Sequence, residues 1–215
     1  MKTIAITGAT GYLGRDLSRV LLERGHAVRG LVRAGGAARL EPDVAPLELD
    51  VFDAEQLARA LSPGDTLVQL IGTPHPNPGK AAEFQRVDLA SVRASASAAA
   101  RARVAHFVYV SVAKPAPVMQ AYVEARRAGE AAIADTGLTA TILRPWYVLG
   151  PGHRWPYLLL PLYALAELLP GTRDGARRLG MVTLRQMSRA LARAVEDPPP
   201  AGTLRVLDVP GIRAA

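Results

Sequence analysis

The chain is 215 residues long and carries 26 Lys and Arg against 19 Asp and Glu, a net charge of +7, with no Cys. The absence of Cys excludes thiol catalysis, thiolate zinc sites and disulfide frameworks, and the length suits one domain whose core needs no staple. The cations are almost all Arg and are scattered, with Lys only at Lys2, Lys80 and Lys114, so no phosphate-tracking run exists and no nucleic-acid partner is expected.

Apolar runs alternate with helical patterns, the mark of βαβ units and a parallel sheet. The first run, Lys2–Thr7, breaks at Gly8, too early for a signal or spanning segment, so the expected location is cytoplasmic. A Gly-rich turn leads into an amphipathic segment from Tyr12 to about Arg24, which Gly25 stops. A second run is Ala27–Val32, and a loop with Gly35 and Gly36 leads to a third, Pro46–Leu49. Asp53 fits the N-cap of a helix over Ala54–Leu61, which Ser62-Pro63-Gly64 breaks. Thr66–Ile71 reads as the fourth strand, followed by a Pro-rich loop and an Ala-rich helix from about Ala82 to Arg103. His106–Ser111 is the fifth strand, Gln120–Asp135 a helix and Thr139–Leu143 the sixth strand. Residues 145–180 break this rhythm with prolines, an apolar stretch over Trp155–Leu169 and a short basic segment. Thr183 caps a helix to about Glu196, and Leu204–Val209 reads as a last strand. The pattern predicts an α/β fold, a Rossmann-like doubly wound parallel sheet in three layers. It forms one domain over residues 1–215, with a small C-terminal substrate-side region.

Thr7-Gly8-Ala9-Thr10-Gly11-Tyr12-Leu13-Gly14 joins the first strand to the first helix. Gly8 suits a tight turn, Gly11 a close approach to a pyrophosphate, and Gly14 close packing of helix on strand. The N–H groups at the helix start supply positive potential for the phosphates. Placed there, the loop with Thr10, Tyr12 and Leu13 points to nucleotide binding. An NAD site puts a carboxylate at the end of the second strand to hold the ribose hydroxyls. Here that strand ends Leu31-Val32-Arg33, with no acid nearby. Arg33 is suited to a 2′-phosphate and Arg15 stands ready to help it, so NADP (as NADPH) is favoured over NAD. Two solvated surface arginines are the plainer reading.

The glycine loop, the aspartate of Leu49-Asp50-Val51, the YVSV of Tyr109–Val112 and the LRPWYVLGPG of Leu143–Gly152 resemble the short-chain dehydrogenase/reductase superfamily. The glycine spacing and short C-terminal part are similar to the atypical branch, which includes NmrA-like NAD(P)H-binding proteins. The resemblance covers nearly the whole chain. It implies that Asp50 and Val51 lie beside the adenine, that Ile71 and Gly72 line the cofactor groove, and that Pro145 to Val148 approach the nicotinamide. It also implies a catalytic Ser, Tyr and Lys, the Lys four residues after the Tyr. Ser111 and Tyr122 match the first two, but Arg126 stands where the Lys belongs. Spacing of four puts Tyr122 and Arg126 on one helix face. A guanidinium still favours a phenolate, but it cannot relay a proton as an ammonium does. The plainer reading makes Tyr122 a half-buried helix residue, Arg126 a surface cation and Ser111 a strand-end hydroxyl.

His75, in the Pro-rich loop, and His153, after the GPG turn, are weaker substrate-side candidates, joined by Trp146 and Trp155. The four His show no metal-ligand spacing, so no metal site is expected, and no GxSxG elbow marks a hydrolase. The stretch Trp155–Leu169 is too short and too interrupted by proline for stable membrane insertion. It suits the wall of an apolar substrate pocket, a homodimer or partner surface, or a membrane-interface contact, besides plain core packing. The leading expectation is an NADP(H)-dependent oxidoreductase acting on a small, mostly apolar carbonyl or enone compound. The alternative is a non-catalytic NADP(H)-binding sensor, regulator or assembly factor. Epimerase or dehydratase chemistry on a sugar nucleotide is disfavoured by the small C-terminal part.

Overall fold

The computed structural model describes residues 1–151, 171 and 173–215. Strands β1 (Thr3–Thr7), β2 (Ala27–Val32), β3 (Ala45–Glu48), β4 (Thr66–Gln69), β5 (His106–Val110) and β6 (Ala140–Arg144) follow the expected runs closely. So do helices α1 (Tyr12–Glu23) and α2 (Ala54–Arg59). The Asp53 side chain accepts from the backbone N–H of Glu55 and Gln56, as an N-cap should. Helix α3 runs over residues 81–102 in three pieces, Ala81–Glu83, a π-helical segment Phe84–Leu89, and Ala90–Ala102. After β5 come α4 (Gln120–Ala134), β6, and a short strand β7 (Tyr147–Leu149). The chain closes with α5 (Arg173–Arg178), β8 (Met181–Thr183), α6 (Leu184–Glu196), β9 (Leu204–Asp208) and α7 (Val209–Ala214). Thr183 and Gln186 form a capping box at the start of α6.

Seven strands make one sheet in the order β3-β2-β1-β4-β5-β6-β9, and every pairing is parallel. Strands β7 and β8 form a separate parallel pair. Because side chains alternate across a strand, each buried strand feeds two cores. Ile4, Ile6, Val68, Val108 and Leu143 pack with Leu17 and Leu21 of α1 and Leu191 and Val195 of α6. Ala5, Leu67, Phe107, Tyr109 and Ile142 pack on the other face with Leu57, Phe84, Val92 and Ile133. This is the doubly wound, three-layer arrangement the alternation of runs implies. At one edge, the N–H of Leu49 donates to Val32 O at 2.9 Å, which sets β3 against β2, and Pro46 and Glu48 are exposed.

Three features depart from the sequence expectation. The Ala-rich helix has a widened π segment, the last strand stops at Asp208 because Pro210 opens a terminal helix, and β7 and β8 were not foreseen. Proline in a first turn gives up an N–H that has no intrahelical partner anyway, so Val209-Pro210 starts a helix rather than ending a strand. The expected segment Trp155–Leu169, with His153 and Trp155, lies outside the described residues.

His106, the first residue of β5, is buried, and its Nε2 lies 2.9 Å from Thr141 Oγ1. Burial, reinforced by Lys2 and Arg205, lowers its pKa from 6.5 to about 4. The unfolded chain therefore takes the proton first, and stability is lost as pH falls from 6.5 to about 4. The expected loss is about 3 kcal/mol. Urea midpoints compared across that window should fall less in His106→Gln than in the parent chain. Equal slopes would remove His106 as the cause.

Candidate functional site: a glycine-lined dinucleotide cleft

The turn from β1 to α1 is built on close backbone contacts. Gly8 has φ +75°, and a Cβ there would lie 3.1 Å from Ile71 N and Leu70 C. A Cβ on Gly14 would stand 2.2 Å from Gly8 O and 2.7 Å from Ala9 Cα, so helix and loop can touch only through glycine. Gly11 occupies the N-cap position of α1 and brings no side chain to its first N–H groups. Those donors point out of a 12-residue helix, an arrangement made for an anion.

Beside this loop lies a cleft of about 520 Å³. Its lining comes from the glycine loop at Gly8, Thr10 and Gly11, from Arg33, Arg39, Val51 and Phe52 after β2 and β3, and from Ile71, Gly72 and Pro74 after β4, with Val87 of α3. It sits at the carboxyl ends of β1, β2 and β4, where doubly wound sheets bind ligands. Anion donors, apolar walls and two exposed arginines together fit a dinucleotide. Neither Arg33 nor Arg39 pairs with a carboxylate among the described residues.

Other expected cofactor residues lie around the cleft rather than in its lining. Leu13 packs against the core under α1, and Gly14 is buried behind the loop. Tyr12 aims its hydroxyl at Gly150, where a Cβ would come within 1.8 Å of it. Arg15 is turned away to Glu41, Nε to Oε1 at 2.6 Å, and the second arginine in the cleft lining beside Arg33 is Arg39. Asp50 Oδ1 accepts from Phe52 N at 2.9 Å and shapes the turn that presents Val51 and Phe52. Pro145 is buried and its carbonyl accepts from Ala113 N at 2.9 Å. Val148 lies on β7, opposite Val182. His75 is exposed, with φ +49°. Trp146 packs on the buried cluster Val112, Ala116 and Val123, as Tyr122 does, and meets Tyr147 edge-on at 5.7 Å. Arg39 and Phe52, which sequence reasoning missed, had one local signal each: a cation six residues past Arg33 and an aromatic after Val51.

Tyr122 and Arg126 do share a face of α4. The Arg126 guanidinium carbon lies 5.1 Å from the Tyr122 ring centre, and Phe84 holds the ring from another side at 5.0 Å. Arg126 is not a surface cation, because it is buried. Its Nη2 lies 2.6 Å from Asp88 Oδ1, and its Nη1 donates to Val110 O at 2.9 Å and to the Tyr109 hydroxyl at 3.4 Å. Burial opposes its charge, but the Tyr122 and Tyr109 hydroxyls and the Asp88 carboxylate outweigh that, and the guanidinium stays charged. A Cβ on Gly72 would sit 2.3 Å from Arg126 Nη2, so this cation passes directly beneath the cleft wall. Asp88 Oδ2 also accepts from Thr73 N at 3.0 Å and Thr73 Oγ1 at 2.5 Å, tying the wall to the same carboxylate.

Ser111 goes elsewhere. Its hydroxyl donates to Glu130 Oε1 at 2.6 Å, and Glu130 also accepts from Lys114 and, at 2.6–3.0 Å, from Arg144. Burial pushes the Glu130 carboxyl up, but the bonds from Arg144, Lys114 and Ser111 outweigh it and hold it below the usual carboxylate range. Ser111 is thus committed to a buried ion cluster at the ends of β5 and β6. No helix among the described residues is long and apolar enough to cross a membrane.

A model of the NAD(P)H-binding family matches residues 8–154. The chain is 34% identical over 173 residues to a ceramide reductase of Caulobacter vibrioides, covering 78% of this chain and 53% of that one. It is 34% identical over 159 residues to a chloroplastic divinyl chlorophyllide a 8-vinyl-reductase of Oryza sativa subsp. indica, covering 66% of this chain and 39% of that one. It therefore spans about half, or less, of the length of these relatives. Its fold superposes on UDP-N-acetylglucosamine 4-epimerase from Bacillus cereus with a TM-score of 0.71 at 18% identity, over 97% of this chain and 79% of that one. The glycine cradle, the cleft beside it and the match over residues 8–154 agree: the chain belongs to the NAD(P)H-binding family, with a short-chain dehydrogenase/reductase-like Rossmann fold.

Proposed function

We propose that this chain is an NADP(H)-dependent oxidoreductase that reduces a carbonyl or conjugated double bond in a small, mostly apolar molecule, with residues 1–215 as one nucleotide-binding unit. The observation that carries this reading is Tyr122, held against a charged Arg126 that runs beneath Gly72 in the cleft wall. The bound nicotinamide supplies the hydride. Tyr122 donates the proton that completes reduction, and the fixed charge of Arg126 steadies the phenolate left behind. Phe84 and Arg126 flank the ring at 5.0 and 5.1 Å and hold it in place. Trp146, half-buried against the buried Val112 and Ala116, adds an apolar side chain to the cluster that Tyr122 also packs on, which suits an apolar substrate. Arg33 and Arg39 supply two cations for a 2′-phosphate, which favours NADP over NAD. The reductases among the relatives support the same reaction class.

One observation favours a second reading, a non-catalytic NADP(H)-binding sensor or assembly factor. Arg126 is committed to Asp88 and Val110, and Ser111 to Glu130, so neither faces the cleft as an open donor. A single series separates the two. NADPH and NADH are titrated by nicotinamide fluorescence, and oxidation is then followed against quinones, enones and aldehydes. Arg33→Ala and Arg39→Ala are each expected to weaken NADPH by about 1.5–3 kcal/mol and leave NADH unchanged. Tyr122→Phe is expected to abolish turnover and spare NADPH binding. Tight binding with no turnover on any substrate would move the chain to the sensor reading, and equal loss of both cofactors would end the 2′-phosphate assignment.

A further inference from the structure

A chain of buried polar side chains runs next to the cleft, from the ends of β1 and β4 to α3. Thr7 ends β1 and Gln69 ends β4, side by side in register. Both are fully buried, as is Ser91 on α3. Gln69 Oε1 accepts from the Thr7 hydroxyl and, at 3.1 Å, from Ile71 N. Gln69 Nε2 donates to Ser91 Oγ at 2.9 Å, and that hydroxyl donates to Asp88 O at 3.1 Å.

Such a network is costly to build. A leucine or methionine at position 69, with a valine at 7, would fill similar volume with nothing left to satisfy, and exchanges of this kind are close to neutral for stability. Its position gives the network another use. The peptide from Leu70 to Ile71 stands 3.1 Å from where a Cβ on Gly8 would be, so the phosphate loop and the β4 loop are in near contact. Gln69 grips both loops with one oxygen: Thr7 immediately before Gly8, and the amide of Ile71. Gly8 and Ile71 both line the cleft.

We infer that Gln69 is a positioning residue for the dinucleotide, which sets the spacing between the phosphate-binding loop and the β4 loop through Thr7 and Ile71. It touches no cofactor itself. The inference rests on the dinucleotide-binding reading but not on any catalytic role for Tyr122.

The test measures NADPH affinity, melting temperature and amide hydrogen exchange at Ile71 in the full chain. Gln69→Met should lower NADPH affinity about tenfold, the value of one supporting hydrogen bond, and speed Ile71 exchange. Thr7→Val removes one of the bonds without adding volume and should act in the same direction by less. The double variant should lose no more than Gln69→Met alone, since both act through one oxygen. A purely structural role would lower the melting temperature and leave affinity unchanged. Affinity within about twofold of the parent in a folded Gln69→Met chain would overturn the inference. Should Gln69→Met not fold, unchanged affinity and Ile71 exchange in Thr7→Val would do the same. Should the parent chain bind no dinucleotide, the functional reading falls by itself, and Ile71 exchange alone decides the role of Gln69.

Discussion

Asp88→Ala is expected to destabilise the fold by about 3–5 kcal/mol, the cost of leaving a buried charge without its partner. The Asp88 side chain is completely buried, and its partner Arg126 is 7% exposed, so the guanidinium would have no water to turn to. Val110 O and the Tyr109 hydroxyl would remain as acceptors, but neither carries a charge to balance it. The two bonds to Thr73 would go at the same time, and the cleft wall at Gly72 would loosen with them. Urea denaturation of the single variant and of Asp88→Ala/Arg126→Met checks this. The double variant should recover most of the loss, since it leaves no unpaired charge. A single-variant loss below about 1 kcal/mol would mean that the pair is worth no more than a surface salt bridge.

Gly14→Val should abolish dinucleotide binding and cost stability as well. Every atom that the new Cβ would meet under 3.0 Å is backbone: Gly8 O, Ala9 Cα and Ala9 C. Backbone cannot swing aside as a flexible side chain can, so either α1 or the phosphate loop must shift. Overpacking of this kind costs about 1–3 kcal/mol. Loss of two or three bonds to phosphate corresponds to about a hundredfold in affinity or more. Gly25→Ala is the control. That glycine also has a positive φ, +77°, but it has open space around it. It should cost about 1–2 kcal/mol of stability and leave NADPH binding intact. Binding retained by Gly14→Val would show that the loop does not hold the pyrophosphate.

The parts of the molecule that a local pattern specifies were legible in the sequence. Asp53 and Thr183 cap helices because capping is settled within three residues of the cap. The sheet follows from apolar runs at regular spacing, and the cleft residues Gly8, Gly11, Arg33, Ile71 and Gly72 from their places at strand ends. Strands β7 and β8, three residues each, are too short to show a period. The π segment has no marker in Phe84–Leu89, since it is tertiary contact that uses Asp88 and Phe84. Pairings across the chain were equally hidden. Nothing near Arg126 announces Asp88, 38 positions earlier, and nothing near Ser111 announces that its hydroxyl donates to Glu130. Arg15 illustrates the converse: adjacency to the glycine loop suggested a phosphate, and the fold gave it Glu41.

The outer edge at β3 has a consequence for how copies of this chain behave when crowded. Leu49 turns its N–H inward to Val32, and alternation along the strand turns positions 46 and 48 outward. Position 46 is proline and has no N–H to offer, and position 48 carries a carboxylate engaged by Gly35 N at 3.1 Å. An incoming strand would find a missing donor followed by a negative charge. The sheet therefore ends where β3 ends, and this rim gives no template for edge-to-edge aggregation.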